Sequence, residues 1–145
     1  MSRAGRLADL EAVRGLKARY CRLVDSGYPS AGDDADAFAR LFAEDGTWAV
    51  SGEPAVGRDA IRGRAASPGR FRFHLAANPI VALDGDRASG QWHVLVAVTG
   101  SDGKAAWLAG RYADDFVRTA AGWRFARVRF ETAFHAPYDA GWSRQ

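Results

Sequence analysis

Leu10, Val13, Leu16, Tyr20, Leu23 and Val24 recur three and four residues apart, with Lys17 on the same stripe, and this spacing predicts an amphipathic helix from about Asp9. Ser26-Gly27 stops it. Tyr28-Pro29-Ser30-Ala31-Gly32-Asp33 is turn chemistry, and Asp34-Ala35-Asp36 then opens a second short helix with Phe38, Leu41 and Phe42 on one face. Residues 47–50 read as a short strand that Gly52 and Pro54 break, and residues 57–64 as a third, small helix. From Phe71 the pattern becomes β-like, with long runs over residues 71–83, 87–99, 104–118 and 122–132. The segments between them, Asp84-Gly85-Asp86, Ser101-Asp102-Gly103 and Thr119-Ala120-Ala121-Gly122, are hairpin signals, so successive antiparallel hairpins are expected.

Helices first and a paired meander last define an α+β domain in which a curved antiparallel sheet wraps the N-terminal helices on its concave side and encloses a pocket. With 145 residues and no repeat or linker, residues 1–145 are read as one domain. A content of 48% hydrophobic and 26% charged residues excludes wholesale disorder and a coiled-coil rod. No uncharged stretch is long enough for a bilayer, and Arg3 and Arg6 run into Asp9 and Glu11 without a secretory apolar core, so a cytoplasmic protein with no membrane partner is expected. Cys21 is the only cysteine, which removes intramolecular disulfides and Cys-rich zinc sites. It is expected to pack rather than react.

The net charge of +3 invites a nucleic-acid reading. Its source is local, however: residues 46–82 hold five arginines (Arg58, Arg62, Arg64, Arg70, Arg72) against Glu53 and Asp59, while the flanking segments are nearly balanced. Such a stripe is by default a solvated helix face, and no nucleic-acid partner is expected. His74, His93 and His135 have no ligand-like spacing, and the chain carries no dinucleotide, Walker or GxSxG pattern. Neither a metal nor another cofactor is expected.

Several positions stand out chemically. Asp25 places an anion at the negative end of the first helix, which calls for compensation, either from a nearby imidazolium or simply through capping of the Ser26-Gly27 turn. His74 shares a strand face with Ala76 and Asn78, small or polar neighbours that suit a cavity wall, although an ordinary solvent-facing histidine would look the same. Tyr20 lies on the apolar stripe of the first helix, either as a core aromatic or with its hydroxyl opening into the pocket. On the third long strand Tyr112 and Asp114 alternate onto one face with Leu108 and Gly110, and line the pocket if that face is inward. Arg127 and Arg129 have three options: to pair Asp114, to bind a carboxylated substrate, or to lie exposed, the default. The run 92–97 has little polar side, which suggests burial on both faces and hence a homodimer or homotrimer.

Six stretches stand out together: Ala18-Arg19-Tyr20-Cys21-Arg22-Leu23-Val24-Asp25, Leu41-Phe42-Ala43-Glu44-Asp45-Gly46, Gly57-Arg58-Asp59-Ala60-Ile61, Phe73-His74-Leu75-Ala76-Ala77-Asn78-Pro79, Gly110-Arg111-Tyr112-Ala113-Asp114 and Gly122-Trp123-Arg124-Phe125. The tail Pro137-Tyr138-Asp139-Ala140-Gly141-Trp142 completes the set. With the order of elements they resemble the NTF2-like superfamily, and within it the SnoaL-like branch. The resemblance implies a cone fold. It is nearest the scytalone dehydratase and bile-acid 7α-dehydratase-like enzymes, which use a tyrosine and an aspartate of the first helix with a histidine of the sheet. The matching positions are Tyr20, Asp25 and His74, with Trp48, Asn78, His93, Tyr112 and Asp114 as substrate-binding candidates. The resemblance thus implies a cofactor-independent lyase or isomerase, with dehydratase-type acid–base chemistry on a hydrophobic ring-containing small molecule such as a polyketide or steroid. The alternatives on the same fold are a non-catalytic ligand-binding or assembly module, and an epoxide hydrolase or cyclase in which Asp114 with Arg127 or Arg129 would position water.

Overall fold

The computed structural model describes residues 1–32, 34–67 and 69–143. Helix α1 spans Arg3–Val24 and begins before Asp9 because Ser2 caps it, its hydroxyl accepting the Gly5 N–H at 3.0 Å. Its buried stripe of Val13, Leu16, Lys17, Tyr20 and Cys21 is the expected one. Helix α2 (Ala35–Ala39) is capped by Asp34, which accepts from the Ala37 N–H at 2.8 Å, and buries Phe38. Leu41 follows the helix, and Phe42, expected on the helical face, already opens strand β1 (Phe42–Ala49). The sequence pattern places the strand only from residue 47 to 50, whereas the observed one begins five residues earlier. Glu44-Asp45-Gly46 lie in an irregularity between the Phe42↔Phe125 and Thr47↔Arg127 pairs. A two-residue strand β2 (Ala55–Val56) precedes helix α3 (Arg58–Ala65).

The four long strands are β3 (Phe71–Asp84), β4 (Arg87–Thr99), β5 (Ala105–Thr119) and β6 (Gly122–Pro137). They form an unclosed six-stranded sheet in the order β2-β1-β6-β5-β4-β3, with β3 at one edge. All pairings are antiparallel except β1 with β6, so the sheet is mixed rather than wholly antiparallel as expected. The parallel contact follows from topology: β1 enters from the helices and docks on the last strand, far away in sequence. Helix α1 lies against β3 and β6, and with α2 and α3 covers one face. No helix among the described residues is long and apolar enough to cross a membrane.

Two buried charge clusters tie α1 to the sheet. Lys17 Nζ meets Asp114 Oδ2 at 2.9 Å with both side chains essentially inaccessible, and the ammonium lies 3.3 Å from the Tyr112 ring centre and 4.1 Å from that of Tyr20. Burial pushes the Lys17 ammonium down and the Asp114 carboxyl up to about 6, so each needs the other to stay charged. At the start of the helix Asp9 accepts two bonds from the Arg118 guanidinium (2.9 and 2.6 Å) and one from Trp123 Nε1 (2.9 Å). These bonds, Arg118 foremost, hold the Asp9 carboxyl below its ordinary value.

Asp114→Ala alone should cost about 3–5 kcal/mol in urea unfolding, since it strands the Lys17 charge, whereas the double replacement Lys17→Met with Asp114→Leu should recover most of the loss. A double variant no better than the single one would show that the pair itself supplies the stability. For Asp9 the folded-state pKa is depressed, so its contribution is complete above the ordinary carboxyl value of 3.8 and is lost as pH falls through the lower, folded value. The urea midpoint of Asp9→Asn should therefore lie below that of the parent at neutral pH and converge with it in acid.

Candidate functional site

The site is assembled where α1 ends. Asp25 is the C-cap, its backbone N–H still bonded to Cys21 O at 3.2 Å while its φ and ψ of −66° and 156° turn the chain into an extended path. Ser26 then pairs with the sheet edge: its N–H donates to Arg72 O (3.2 Å), Arg72 N–H returns to Ser26 O (3.0 Å), and its hydroxyl donates to Gly69 O (2.9 Å). Gly27 follows at φ +87°, where a Cβ would come within 2.1 Å of Arg70 O, so this position requires glycine on both conformational and spatial grounds. The bridge sets the end of the helix against β3 two residues before His74.

The buried Asp25 carboxylate faces His74 directly. Its Oδ1 accepts from the His74 backbone N–H at 2.8 Å and lies 2.8 Å from His74 Nδ1, while Oδ2 accepts the Tyr28 hydroxyl at 2.5 Å. Three donors thus offset an anion at the negative end of a helix, so Asp25 both caps the turn and holds the imidazole. A carboxylate can only accept, which assigns a proton to Nδ1, so that in the neutral imidazole Nε2 is the nitrogen with the lone pair. The bond to Asp25, more than burial, pushes the Tyr28 phenol up to about 12 and makes it a lasting donor.

His74 borders two cavities. The outer one, about 400 Å³, also touches Asp25, Tyr28, Arg22 and Phe73. The inner one, about 480 Å³, touches neither Asp25 nor Tyr28, so His74 stands between the two spaces. That space has an apolar wall including Val24, Val96, Leu108 and Phe130, and a floor of Tyr20, Trp48 and Tyr112, the mixture of apolar lining and few polar groups usual for a small-molecule site. On the floor, Trp48 Nε1 donates to the Tyr20 hydroxyl oxygen at 2.9 Å. Burial holds the Tyr20 and Tyr112 phenols far above their ordinary value, so both keep their protons and act as hydrogen-bond donors. Burial likewise pushes the Cys21 thiol up to about 11, consistent with a packing role. No group of three metal-ligating side chains gathers among the described residues.

Tyr20, His74, Trp48 and Tyr112 therefore converge on one cavity, with Asp25 behind the imidazole. Three other candidates are placed elsewhere. Asn78 was expected on the face of His74, but it sits at φ 56° in an irregularity between Ala77 and Ile80 that breaks the alternation. It is turned outward and lies 3.1 Å from Nδ1 of His93, also exposed because its neighbours Trp92 and Val94 take the inner face. Asp114 is inward as its alternation implies, yet Lys17 occupies the space in front of it and it does not line the cavity. Arg127 and Arg129 are exposed, with Arg129 bonded to Asp115 at 3.2 Å, so the grouping considered for water attack on an epoxide is not assembled. A second irregularity, between Asp115 and Phe116, accounts for this by shifting these arginines off the face of Trp123 and Phe125. The outward face of the run 92–97 is also open, with Leu95 38% exposed. Tyr28 was read only as part of a turn, and nothing in its spacing announces the bond to Asp25. Arg64, Arg72 and His135 also border the inner cavity, where the sequence showed only a basic stripe and an isolated histidine.

The SnoaL-like domain family matches residues 5–129, and the chain belongs to it. An NTF2-like protein with a cystatin-like fold from Novosphingobium aromaticivorans is 32% identical, with 98% of this chain and 89% of that one aligned and a TM-score of 0.71. The hexachlorocyclohexane dehydrochlorinase LinA-type3 from Novosphingobium barchaimii aligns over 94% of both chains at a TM-score of 0.83 and 18% identity. A scytalone dehydratase-like protein of N. aromaticivorans aligns over 92% of this chain and 89% of its own, with a TM-score of 0.78 and 22% identity. At those last two identities the similarity is one of fold. No protein with a curated description matches the chain.

Gly27→Ala should loosen the Ser26 bridge and with it the Asp25–His74 contact. The expected result is a loss of at least about 1–2 kcal/mol in stability from the left-handed backbone alone, together with disappearance of the slowly exchanging His74 Nδ1–H proton resonance. Retention of that resonance in the variant would show that the dyad does not depend on the bridge.

Proposed function

We propose that the protein is a cofactor-independent lyase that eliminates water or a comparable leaving group from a hydrophobic ring-containing small molecule. The observation that carries this reading is the Asp25–His74 contact of 2.8 Å, with His74 and Tyr20 both lining a cavity of about 480 Å³. Nε2 removes a proton from a carbon made acidic by an adjacent carbonyl, and the C–H electron pair becomes the new C=C bond as the group on the neighbouring carbon departs with its bonding electrons. Asp25 holds the ring in the required tautomer and stabilises the imidazolium formed. Tyr20 donates to the carbonyl oxygen as negative charge grows there, or to a departing hydroxide. With hydroxide as the leaving group, the proton removed and the hydroxide lost sum to one water and no redox partner is needed. Isomerisation and aldol-type cyclisation share the first step.

Two structural neighbours are named for eliminations, a dehydrochlorination and a dehydration, which agrees with this reading without carrying it. The non-catalytic alternative remains its competitor, and the two differ in whether turnover exists and depends on His74. A screen of hydroxylated cyclic ketones, followed by the absorbance of the conjugated product, should find turnover. His74→Ala should lower it by about 10²–10⁴-fold with far-UV circular dichroism unchanged, and Asp25→Asn should lower it by less. Full activity in His74→Ala would remove this histidine as the base.

A further inference from the structure

Among the residues that line the inner cavity, Ser51, Ser67, Thr132 and His135 are exposed and Arg64 and Arg72 half-buried, which puts its mouth at these polar side chains and its apolar wall deeper. Among the described residues that line it, two are guanidinium cations and two are histidines, while none is a carboxylate. The acidic groups nearby are committed: Asp25 to His74 and Tyr28, and Asp114 to Lys17. Asp34 borders only a small adjoining space of about 20 Å³, shared with Asp25 and Arg72.

The two arginines are not equivalent. Arg64 is spent on the scaffold, donating from Nη1 to Trp48 O at 3.3 Å and from Nη2 to Glu53 O, and it contributes mainly a positive field. Arg72 lies on β3 two residues before His74, partly buried, with its guanidinium against Gly69 and no carboxylate within ion-pair distance among the described residues. Its backbone is held by the Ser26 bridge on the same edge that holds the dyad. A half-buried guanidinium beside an apolar cavity, with no partner for its planar donor fork among the described residues, suits a carboxylate, which it can take in a two-point bond.

We infer that the substrate of this cavity is a ring-bearing organic acid whose carboxylate is held at the mouth by Arg72, with Arg64 reinforcing the field, and whose ring system fills the apolar interior beside His74. This rests on the reading of the inner cavity as the substrate site, and it replaces Arg127 and Arg129 as the arginines for a carboxylated ligand, since both are exposed on the outer surface. Arg72 is a binding and specificity residue here. It sets which molecules enter and how they are oriented toward the imidazole, and takes no part in proton transfer.

The test compares naphthoate with naphthamide, which have the same ring and differ in charge, by isothermal titration calorimetry at about pH 8, where the acid is ionised. The parent protein should bind naphthoate at least about tenfold more tightly than naphthamide, and the margin should shrink as salt is raised. Arg72→Gln should remove the preference while leaving naphthamide binding within about twofold, and Arg72→Lys should restore part of it. The amide is the control for folding, because a variant that still binds it has kept the cavity. Equal binding of acid and amide by the parent, binding of neither, or a preference that survives Arg72→Gln would each overturn the assignment. The same titration on His74→Ala separates this inference from the lyase reading: an acid preference that persists there stands even if His74 proves not to be a base. If turnover depends on His74 but no preference for the acid exists, only the present inference falls.

Discussion

The two-way backbone bridge between Ser26 and Arg72 is the constraint on which the site depends. A helix end is ordinarily a place where chain direction is loosely held, because its last carbonyls have no partners within the helix. Here the first residue after the cap is stitched to a sheet edge, and the stitch joins elements nearly fifty positions apart. Once it is made, Asp25 and His74 have little freedom to do anything but meet. Tyr28, Arg72 and Gly69 are brought to the same corner by the same few bonds.

The rest of the fold supplies the complementary half. Behind the floor tyrosines, Phe38 packs tilted on Tyr20 and Phe125 meets the same ring edge-on, while Tyr20 and Tyr112 meet edge to face. Beneath these rings the Lys17–Asp114 pair keeps two charges out of water while presenting only aromatic faces to the cavity. The floor is thus rigid and its hydroxyls stay protonated. Polarity in the inner cavity is confined to the floor hydroxyls, the imidazole and the rim.

The order of elements and the hairpin ends of the long strands were legible in the sequence because turn residues and alternation are local signals, and β4 spans the residues the pattern assigned, whereas β6 runs on to Pro137, past the expected end at residue 132. The first helix could be read for its stripe but not for its start, since Ser2 is an inconspicuous cap ahead of a weakly apolar first turn. The meeting of Asp25 with His74, and Tyr20 on the cavity lining, agree with the grouping that the family resemblance implied. What could not be read were the departures from alternation. The irregularity at Asn78 and the one between Asp115 and Phe116 move Asn78, Arg127 and Arg129 off the faces that strict counting gives them. Asp114 was counted correctly to the inner face, but whether an inward carboxylate meets a ligand or a lysine depends on which helix lies opposite. The parallel β1–β6 contact is invisible for a related reason, since no local pattern specifies a partner so far along the chain.

The irregularity in β3 bears on a different problem. This strand is the free edge of the sheet, long and apolar in part, with Phe73, Leu75 and Ile80 exposed. Such a rim invites another molecule's strand to add to it, the first step of aggregation. Ser26 already occupies its first residues, and further along Asn78 at positive φ and Pro79, which has no N–H to offer, interrupt the row of donors and acceptors. Asn78 and Pro79 thereby leave the open edge without an unbroken row of backbone donors and acceptors for another strand to pair with.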